Sequence, residues 1–246
     1  MQIIPAFVTQ NKCYQAGAPL TPRGIMLHSV GTPQPSARAL VRYMDQYQPG
    51  GQSVCVHAVA QADGTVYQLL PWEMRGWHCG GSANSTHIGV EMTEPSAGMT
   101  RSEAAEQIAG TYRTVVELFA ELCKQYELDP AQDGVIIGHA EGHRRGVASN
   151  HADPELLWRT YDMGYTMDGF RRDVAEAMKN GAREEALDMP RYDSVAEMPQ
   201  WARAGVQRLI DRGVLSGVGN GKLDLSLDMI RTMIVCQRML DEQKET

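Results

Sequence analysis

Long apolar runs and an excess of positive charge are both missing from this 246-residue sequence. No apolar run approaches the ~20 residues that a membrane-spanning helix requires, so we expect no membrane span. The formal net charge is −7, whereas a nucleic-acid partner needs a concentrated basic face to neutralise phosphates. These two absences argue against a membrane protein and against a nucleic-acid-binding protein.

Cysteine is scarce, and no secretory signal is visible. The five cysteines are odd in number and show no C-x-x-C spacing, which predicts reduced, mostly buried thiols. The N-terminal stretch MQIIPAFVTQNKCYQ lacks a basic segment followed by an apolar one, which is the pattern of a signal peptide. We therefore expect a protein made in the cytoplasm, which would need another route to act outside the cell.

The composition is otherwise that of a globular protein, with 43% hydrophobic and 22% charged residues, so a packed core is expected. Up to residue 180, short apolar runs alternate with amphipathic stretches. Strands are predicted over 24–31, 53–71 (a hairpin around Asp63-Gly64), 87–93 and 134–139, and helices over 35–48, from Thr100 to near Pro130, and over 166–181. This interleaving predicts an α/β domain over residues 1–180, with a central mixed β-sheet flanked by helices.

The rest of the chain is predicted to be a linker followed by a small helical C-terminal module. Charge and proline in residues 181–194 indicate the linker. Residues 195–246 then hold two amphipathic stretches, 198–213 and 225–240, and Trp201 in the first of them is expected to face inward. Two helices make only a small core, which is marginal on its own.

The C-terminal module resembles short wall-associating repeats of the S-layer-homology type. The stretch MPQWARAGVQRLIDRGVLSGVGNGKLDLSLDM has the Trp-Ala opening, the glycine-rich turn and the second helix of such a repeat, and only one unit is present. The resemblance implies that the module binds cell wall. The alternative is a two-helix element that makes a homo-oligomer or packs against another part of the protein.

Histidines at the ends of two predicted strands point to a metal site. A zinc hydrolase needs three protein ligands and an open fourth position for water. His28 ends the apolar run IMLHS, His139 ends VIIGHA, and Asp153 lies in the loop that follows. These three side chains are candidate ligands, although Asp153 before Pro154 is also typical of a helix N-cap.

At these residues the sequence resembles zinc-dependent N-acetylmuramoyl-L-alanine amidases of the type 2 group, which are related to peptidoglycan recognition proteins and to amidase-type phage lysozymes. The resemblance covers residues 20–180, roughly. It is carried by the strand-borne His28 and by the motifs VHAVAQADGTVYQLLPWEMRGWHCGG, IGVEM and GH…HADP. The stretch GHRRGVASNHADPELLW is especially similar to the amidase domains of prophage endolysins.

The resemblance implies a role for each of five residues. His28, His139 and Asp153 correspond to the zinc ligands of the family. Glu91 corresponds to the carboxylate that acts as general base in the bacterial amidases, and His151 stands where many members place a lysine that stabilises the oxyanion. The sequence departs from the phage lysozymes of the family, which have a tyrosine where this chain has a valine before the histidine of VHAVA, so the base rests on the glutamate.

Other interpretations of these residues remain open. His151 could be the third ligand, with Asp153 capping a helix, and Glu91 could lie on a solvated strand face. Candidate substrate contacts are Trp77, His78 and Arg144. The tryptophan and the histidine could equally be packing residues, and the arginine could belong to a solvated basic cluster. The sequence assigns no role to His57 or His143.

The expected function is hydrolysis of peptidoglycan at the amide between N-acetylmuramic acid and L-alanine, with Zn²⁺ as cofactor. An endolysin made in the cytoplasm would act on the cell wall after its release. Two alternatives share the fold. One is a peptidoglycan-binding protein without activity, and the other is an intracellular amidase that recycles soluble muropeptides.

Overall fold

The computed structural model of this protein describes residues 1–46, 54–188 and 191–242, and it divides into two compact units, Met1–Asn180 and Gly181–Thr246. The strands of the first unit are β1 (Gln2–Pro5), β2 (Gly24–Ser29), β3 (Ala58–Ala60), β4 (Thr65–Gln68), β5 (His87–Met92) and β6 (Ile136–Gly138). Its helices are α1 (Lys12–Ala16), α2 (Ala37–Met44), α3 (Arg101–Gln125), α4 (His139–Arg144), α5 (Glu155–Thr160) and α6 (Met167–Asp188), with a 3₁₀ turn at Ser82–Ser85.

The six strands form one mixed sheet in the order β1-β4-β3-β5-β2-β6. Its strands pair in parallel except for β3 and β4, which form the antiparallel hairpin predicted around Asp63-Gly64. Helices flank the sheet, so the predicted α/β architecture is confirmed. The inner strands are almost wholly apolar because both of their faces are covered, as is usual for parallel strands.

Successive strand residues point to opposite faces of the sheet, and this alternation separates two cores. Ile25 and Leu27 of β2 belong to a core that α3 and α6 cover. Val59 of β3 belongs to a second core, which includes Leu40 and Met44 of α2. The candidate functional side chains described below lie on the second, α2 side, at the carboxyl ends of the strands.

Helix α3 begins as the sequence predicts. Thr100 is its N-cap and accepts from the Glu103 backbone, while the Glu103 side chain accepts from the Thr100 backbone, which is the expected capping box. The five apolar residues of its predicted inner face are all buried: Ile108, Val115, Leu118, Phe119 and Leu122. Phe119 packs edge-on against Phe170 of α6, with ring centroids 5.0 Å apart. These contacts hold α3 and α6 against one face of the sheet.

Three boundaries differ from the predictions. His139 opens α4 instead of ending a strand, because β6 stops at Gly138. Helix α6 runs to Asp188 and so occupies much of the predicted linker, since the alanine, arginine and glutamate of GAREEALD favour a helix despite its glycine. Helix α2 ends at Met44, while the last two predicted positions, 47 and 48, and residues 189–190 of the linker lie outside the described residues.

The second unit contains β7 (Arg191–Tyr192), α7 (Gln200–Asp211), β8 (Leu225–Ser226) and α8 (Leu227–Glu242). The two short strands pair antiparallel, and buried Val206 of α7 packs with Ile230 of α8 in a small core. Trp201 does not face inward, because 51% of it is exposed. It precedes Ala202, and that alanine takes the buried position on the helix.

Two further expectations can be compared with the structure. Four cysteines are buried and one, Cys236, is exposed, and all five are free thiols, as the sequence predicts. Among the residues that the structure describes, no helix combines the length and the apolar character needed to cross a membrane.

Candidate metal centre

His28, His139 and Asp153 come together at one end of the sheet. His28 lies near the end of β2, and His139 follows directly after β6, which pairs in parallel with β2. The carboxyl ends of neighbouring parallel strands meet at one edge, where open α/β sheets place their ligands. Asp153 enters from the loop before α5. One ligand atom from each of the three residues lies within 4.8 Å of the others.

The separations within this triad suit a small cation. His28 Nδ1 is 3.0 Å from His139 Nδ1 and 3.3 Å from Asp153 Oδ2, and His139 Nδ1 is 3.5 Å from Asp153 Oδ1. Ligand atoms placed ~2.0–2.2 Å from a tetrahedral ion are about 3.3–3.6 Å apart. The three side chains could therefore hold a metal ion.

The charges of the triad are set by burial and by mutual contact. Burial alone would raise the pKa of Asp153, but the contacts with His139 and His28 lower it below the ordinary value of an aspartate. Burial lowers the pKa of His28, although Asp153 opposes this. The cluster thus combines an ionised carboxylate with a neutral imidazole, and only the neutral imidazole has a lone pair for a metal.

The structure does not use Asp153 as a helix cap. Helix α5 begins at Glu155 with Pro154 at the N-cap position and no side-chain cap hydrogen bond. The carboxylate instead faces the histidines and accepts from the Ser29 backbone N–H at 3.3 Å. Because Asp153 is turned toward the histidines, the interpretation in which His151 replaces it as ligand loses its support.

Glu91 lies beside the triad on the next strand. It is the register partner of His28 in the parallel pair β2–β5, so the two side chains point to the same face. Burial raises the pKa of Glu91 well above that of an ordinary glutamate, and the negative charges of Asp153 and Glu94 raise it further. Glu91 therefore lies on the wall of the site and not on a solvated strand face.

His151 is exposed and lies next to the triad. Its ring is 4.5 Å from the His139 ring, measured between centroids. The Ser149 hydroxyl bridges the two imidazoles, at 3.2 Å from His139 Nε2 and 3.0 Å from His151 Nδ1. Sequence reasoning missed Ser149, because a serine in a loop carries no signal until folding places both histidines around it.

A cleft of about 680 Å³ opens over these groups. Glu91, His151 and the triad line it, and Trp77 and His78 lie on its wall. Its apolar side is formed by residues of α2 and by the segment that leads to β3: Leu40, Tyr43, Met44, Val54 and Val56. Arg144 is absent from the lining and pairs with Glu155 at 3.6 Å.

Two histidines without an assigned role differ in environment. His57 is fully buried, and burial lowers its pKa to about 4. Its Nε2–H donates to the Met74 carbonyl at 2.7 Å, and its Nδ1 accepts from the Gly89 N–H at 2.9 Å. This imidazole is a bridge between backbone segments. His143 is exposed at the end of α4.

Comparison with known proteins agrees with this geometry. A family model described as N-acetylmuramoyl-L-alanine amidase matches residues 18–156, a range that contains the triad, Glu91 and His151. No curated protein sequence gives a significant match.

Three solved structures are similar in fold. The hydrolase AmiA of Staphylococcus aureus, in complex with its ligand, is 20% identical with a TM-score of 0.58, over 72% of this chain and 83% of that chain. The catalytic domain of XlyA is 22% identical with a TM-score of 0.53, over 71% of this chain and 99% of that chain. A mutant endolysin from Bacillus subtilis is 20% identical with a TM-score of 0.51, over 71% of this chain and 99% of that chain. At these identities the likeness concerns the fold.

Proposed function

Because this chain belongs to the N-acetylmuramoyl-L-alanine amidase family, we propose that it is a zinc-dependent peptidoglycan hydrolase of the endolysin kind. The bond it cleaves is the amide between N-acetylmuramic acid and the L-alanine of the stem peptide. The observation that carries the proposal is the spacing of His28, His139 and Asp153, since three side chains at these separations beside the cleft would hold one zinc ion.

Nδ1 of His28, Nδ1 of His139 and a carboxylate oxygen of Asp153 would hold the zinc. Two neutral nitrogens and one carboxylate form a donor set that is common in catalytic zinc sites. When bound, Zn²⁺ supplies Lewis acidity, which activates water and polarises the carbonyl of the scissile amide. The Ser29 N–H holds the carboxylate of the aspartate in place.

Glu91 is the proposed general base. Its carboxylate lies on the same sheet face as His28 and takes a proton from the attacking water. The raised pKa of Glu91 makes it a better base than an exposed carboxylate. The same residue would then give that proton to the L-alanine nitrogen as the C–N bond breaks, so that the stem peptide leaves as an amine.

His151 is the proposed donor to the oxyanion. When Nδ1 of His139 binds metal, its Nε2–H donates to Ser149 Oγ at 3.2 Å, and the serine hydroxyl donates to His151 Nδ1 at 3.0 Å. With Nδ1 accepting this hydrogen bond, His151 has an N–H at Nε2 to offer the substrate. That N–H stabilises the negative charge that develops on the carbonyl oxygen, as a donor fixed in advance by the fold.

The cleft is the proposed site of the stem peptide and the sugar. Trp77 on its wall offers an apolar surface to the substrate, as aromatic residues do in carbohydrate and peptide sites. Arg144 does not line the cleft and pairs with Glu155. We still propose that it contacts the carboxylates of the stem peptide where the peptide extends beyond the cleft.

The proposed place of action is the cell wall, reached after release from the cytoplasm. A mutant endolysin from Bacillus subtilis has the same fold, which supports this proposal. We assign the second unit to wall binding or to homo-oligomer formation. Pull-down with purified peptidoglycan and sedimentation of the full chain distinguish these two roles.

Mass spectrometry of purified cell wall digested by the full chain tests the proposed reaction. Cleavage should release peptides with a free L-alanine N-terminus, and a chelator should stop it. A chain that binds wall but holds no zinc would be a non-catalytic binding protein. Turnover of soluble muropeptides with no action on intact wall would indicate a recycling amidase.

A further inference from the structure

The imidazole of His78 lies directly behind the His28 candidate ligand. His28 turns Nδ1 toward the other two members of the triad, and its opposite nitrogen, Nε2, is 2.9 Å from Nδ1 of His78. Nε2 of His78 is in turn 3.1 Å from the backbone carbonyl oxygen of His87. The two rings are nearly perpendicular, with centroids 5.1 Å apart. A chain of two hydrogen bonds thus connects the triad to the start of β5.

The carbonyl at the end of this chain determines where each proton sits. A carbonyl oxygen only accepts, so Nε2 of His78 carries the hydrogen. Nδ1 of a neutral His78 then has the lone pair and accepts from Nε2–H of His28. His28 is left with its own lone pair on Nδ1, which faces His139 and Asp153. One backbone carbonyl therefore selects the tautomer of His28 that can bind a metal.

Two glycines make room for this ring. A Cβ on Gly89 would lie 2.4 Å from Cγ of His78, and a Cβ on Gly76 would lie 3.1 Å from its Cδ2. Real side chains are not found as close as the first of these distances. The backbone of His78 is also held, since its N–H donates to Oδ1 of Asn84 at 2.9 Å. The ring position is thus specified by the fold on several sides.

We propose that His78 is a positioning residue for zinc, which fixes the orientation and tautomer of His28 through the carbonyl of His87. This inference rests on the proposed zinc function. It replaces the substrate contact expected for His78, because both of its ring nitrogens are already engaged. Partners behind a metal-binding histidine fix its ring and raise its basicity, and their loss costs about 10–100-fold in metal affinity.

The test compares three versions of the full chain by competition for Zn²⁺ with a chromophoric chelator. H78F fills the same space without hydrogen bonds, and we expect it to bind zinc about 10–100-fold more weakly than the unchanged chain. H78Q is the matched control. Its amide oxygen can accept from His28 and its amide nitrogen can donate to the His87 carbonyl, so we expect near-normal affinity.

A second measurement needs no substitution and remains decisive if H78F does not fold. Long-range ¹H–¹⁵N correlation spectra of the ¹⁵N-labelled chain report which ring nitrogen carries the proton. We expect Nε2–H on both His28 and His78. A proton on Nδ1 of His78, or equal zinc affinity in H78F and the unchanged chain, overturns the relay and leaves the zinc enzyme standing. Failure of the unchanged chain to bind zinc overturns the proposed function itself.

Discussion

The carboxylate of Glu91 and the imidazole of His28 project from register-paired positions on two neighbouring parallel strands, β5 and β2. A rigid sheet thus fixes the distance between the proposed base and the metal site, because both side chains rise from the same face of adjacent strands. In the sequence the two residues are far apart, and His139 and Asp153 follow still later. Four predictions concern this arrangement and the residues around it, and a fifth concerns the second unit.

Replacing Glu91 by glutamine should remove the base and leave the site otherwise intact. The amide has nearly the same shape as the carboxylic acid, so E91Q should fold and bind zinc as the unchanged chain does. We expect kcat on muropeptide to fall about 10²–10⁴-fold, the usual contribution of a general base. Steady-state kinetics at saturating zinc check this, and full activity in E91Q would falsify the assignment.

The same substitution should stabilise the metal-free protein at neutral pH. Folding raises the pKa of Glu91, so the folded protein favours the protonated side chain. Below the unfolded pKa of about 4.3 the glutamate is protonated in both states, and its burial then costs no ionisation energy. As the pH rises from there toward the folded pKa, the unchanged chain loses stability that E91Q keeps. Urea unfolding of the apo proteins from pH 4 to 7 should show a growing difference in favour of E91Q. A constant difference would contradict the prediction.

Zinc should stabilise the fold through His139 and Asp153. At a free zinc concentration 100-fold above Kd, the free energy of unfolding should rise by about 2.7 kcal/mol. H139A and D153A should lose this increment, and chelator should remove it from the unchanged chain. The control is H143A, which alters an exposed histidine on the same helix as His139 and should respond to zinc normally. Thermal or urea unfolding with and without zinc measures the effect.

Replacing Ser149 should lower the activity, although its side chain is not a candidate metal ligand. S149A removes the hydroxyl that lies between His139 and His151, so the proposed oxyanion donor loses its fixed orientation. We expect kcat/KM to fall about 10–100-fold, as for other groups that orient ligands and donors. S149T keeps a hydroxyl and should retain more activity than S149A. An S149A variant as active as the unchanged chain would show that the bridge has no role.

The stability of the second unit should depend on Ile230 and not on Trp201. Ile230 is fully buried, so I230A should destabilise this unit by about 2–5 kcal/mol. Trp201 is half exposed, and W201A should change its stability by no more than about 0.5 kcal/mol. Urea unfolding of the full chain measures both variants. If W201A also abolishes binding to purified wall, the exposed indole belongs to the binding surface of the unit.

Local sequence determined most of the elements of this fold. The apolar run before His28 predicts β2, the Asp63-Gly64 dipeptide predicts the hairpin, and Thr100 with Glu103 predicts the start of α3. Each of these signals acts over a few residues, through burial, turn geometry or capping, so it can be seen without the rest of the chain. The order of motifs also brought His28, His139, Asp153 and Glu91 forward as candidates.

Boundaries without a strong local signal were predicted less well. Helix α6 passes through the glycine at 181 because its later residues favour a helix, and α7 buries Ala202 in place of Trp201. A tryptophan in an amphipathic pattern fits either face on hydrophobicity alone, and only packing against α8 decides which residues are enclosed.

Contacts between distant segments could come only from the tertiary structure. The carboxylate of Asp153 could have capped a helix or faced the histidines, and both uses fit the same local sequence. Likewise, the partners of His78 and Ser149 lie on other elements, so their hydrogen bonds exist only after the sheet has brought those elements together. The sequence by itself thus determined which chemical groups are available. The direction in which each group points was decided by long-range packing, because a side chain takes its hydrogen-bond partners from whatever the fold places beside it.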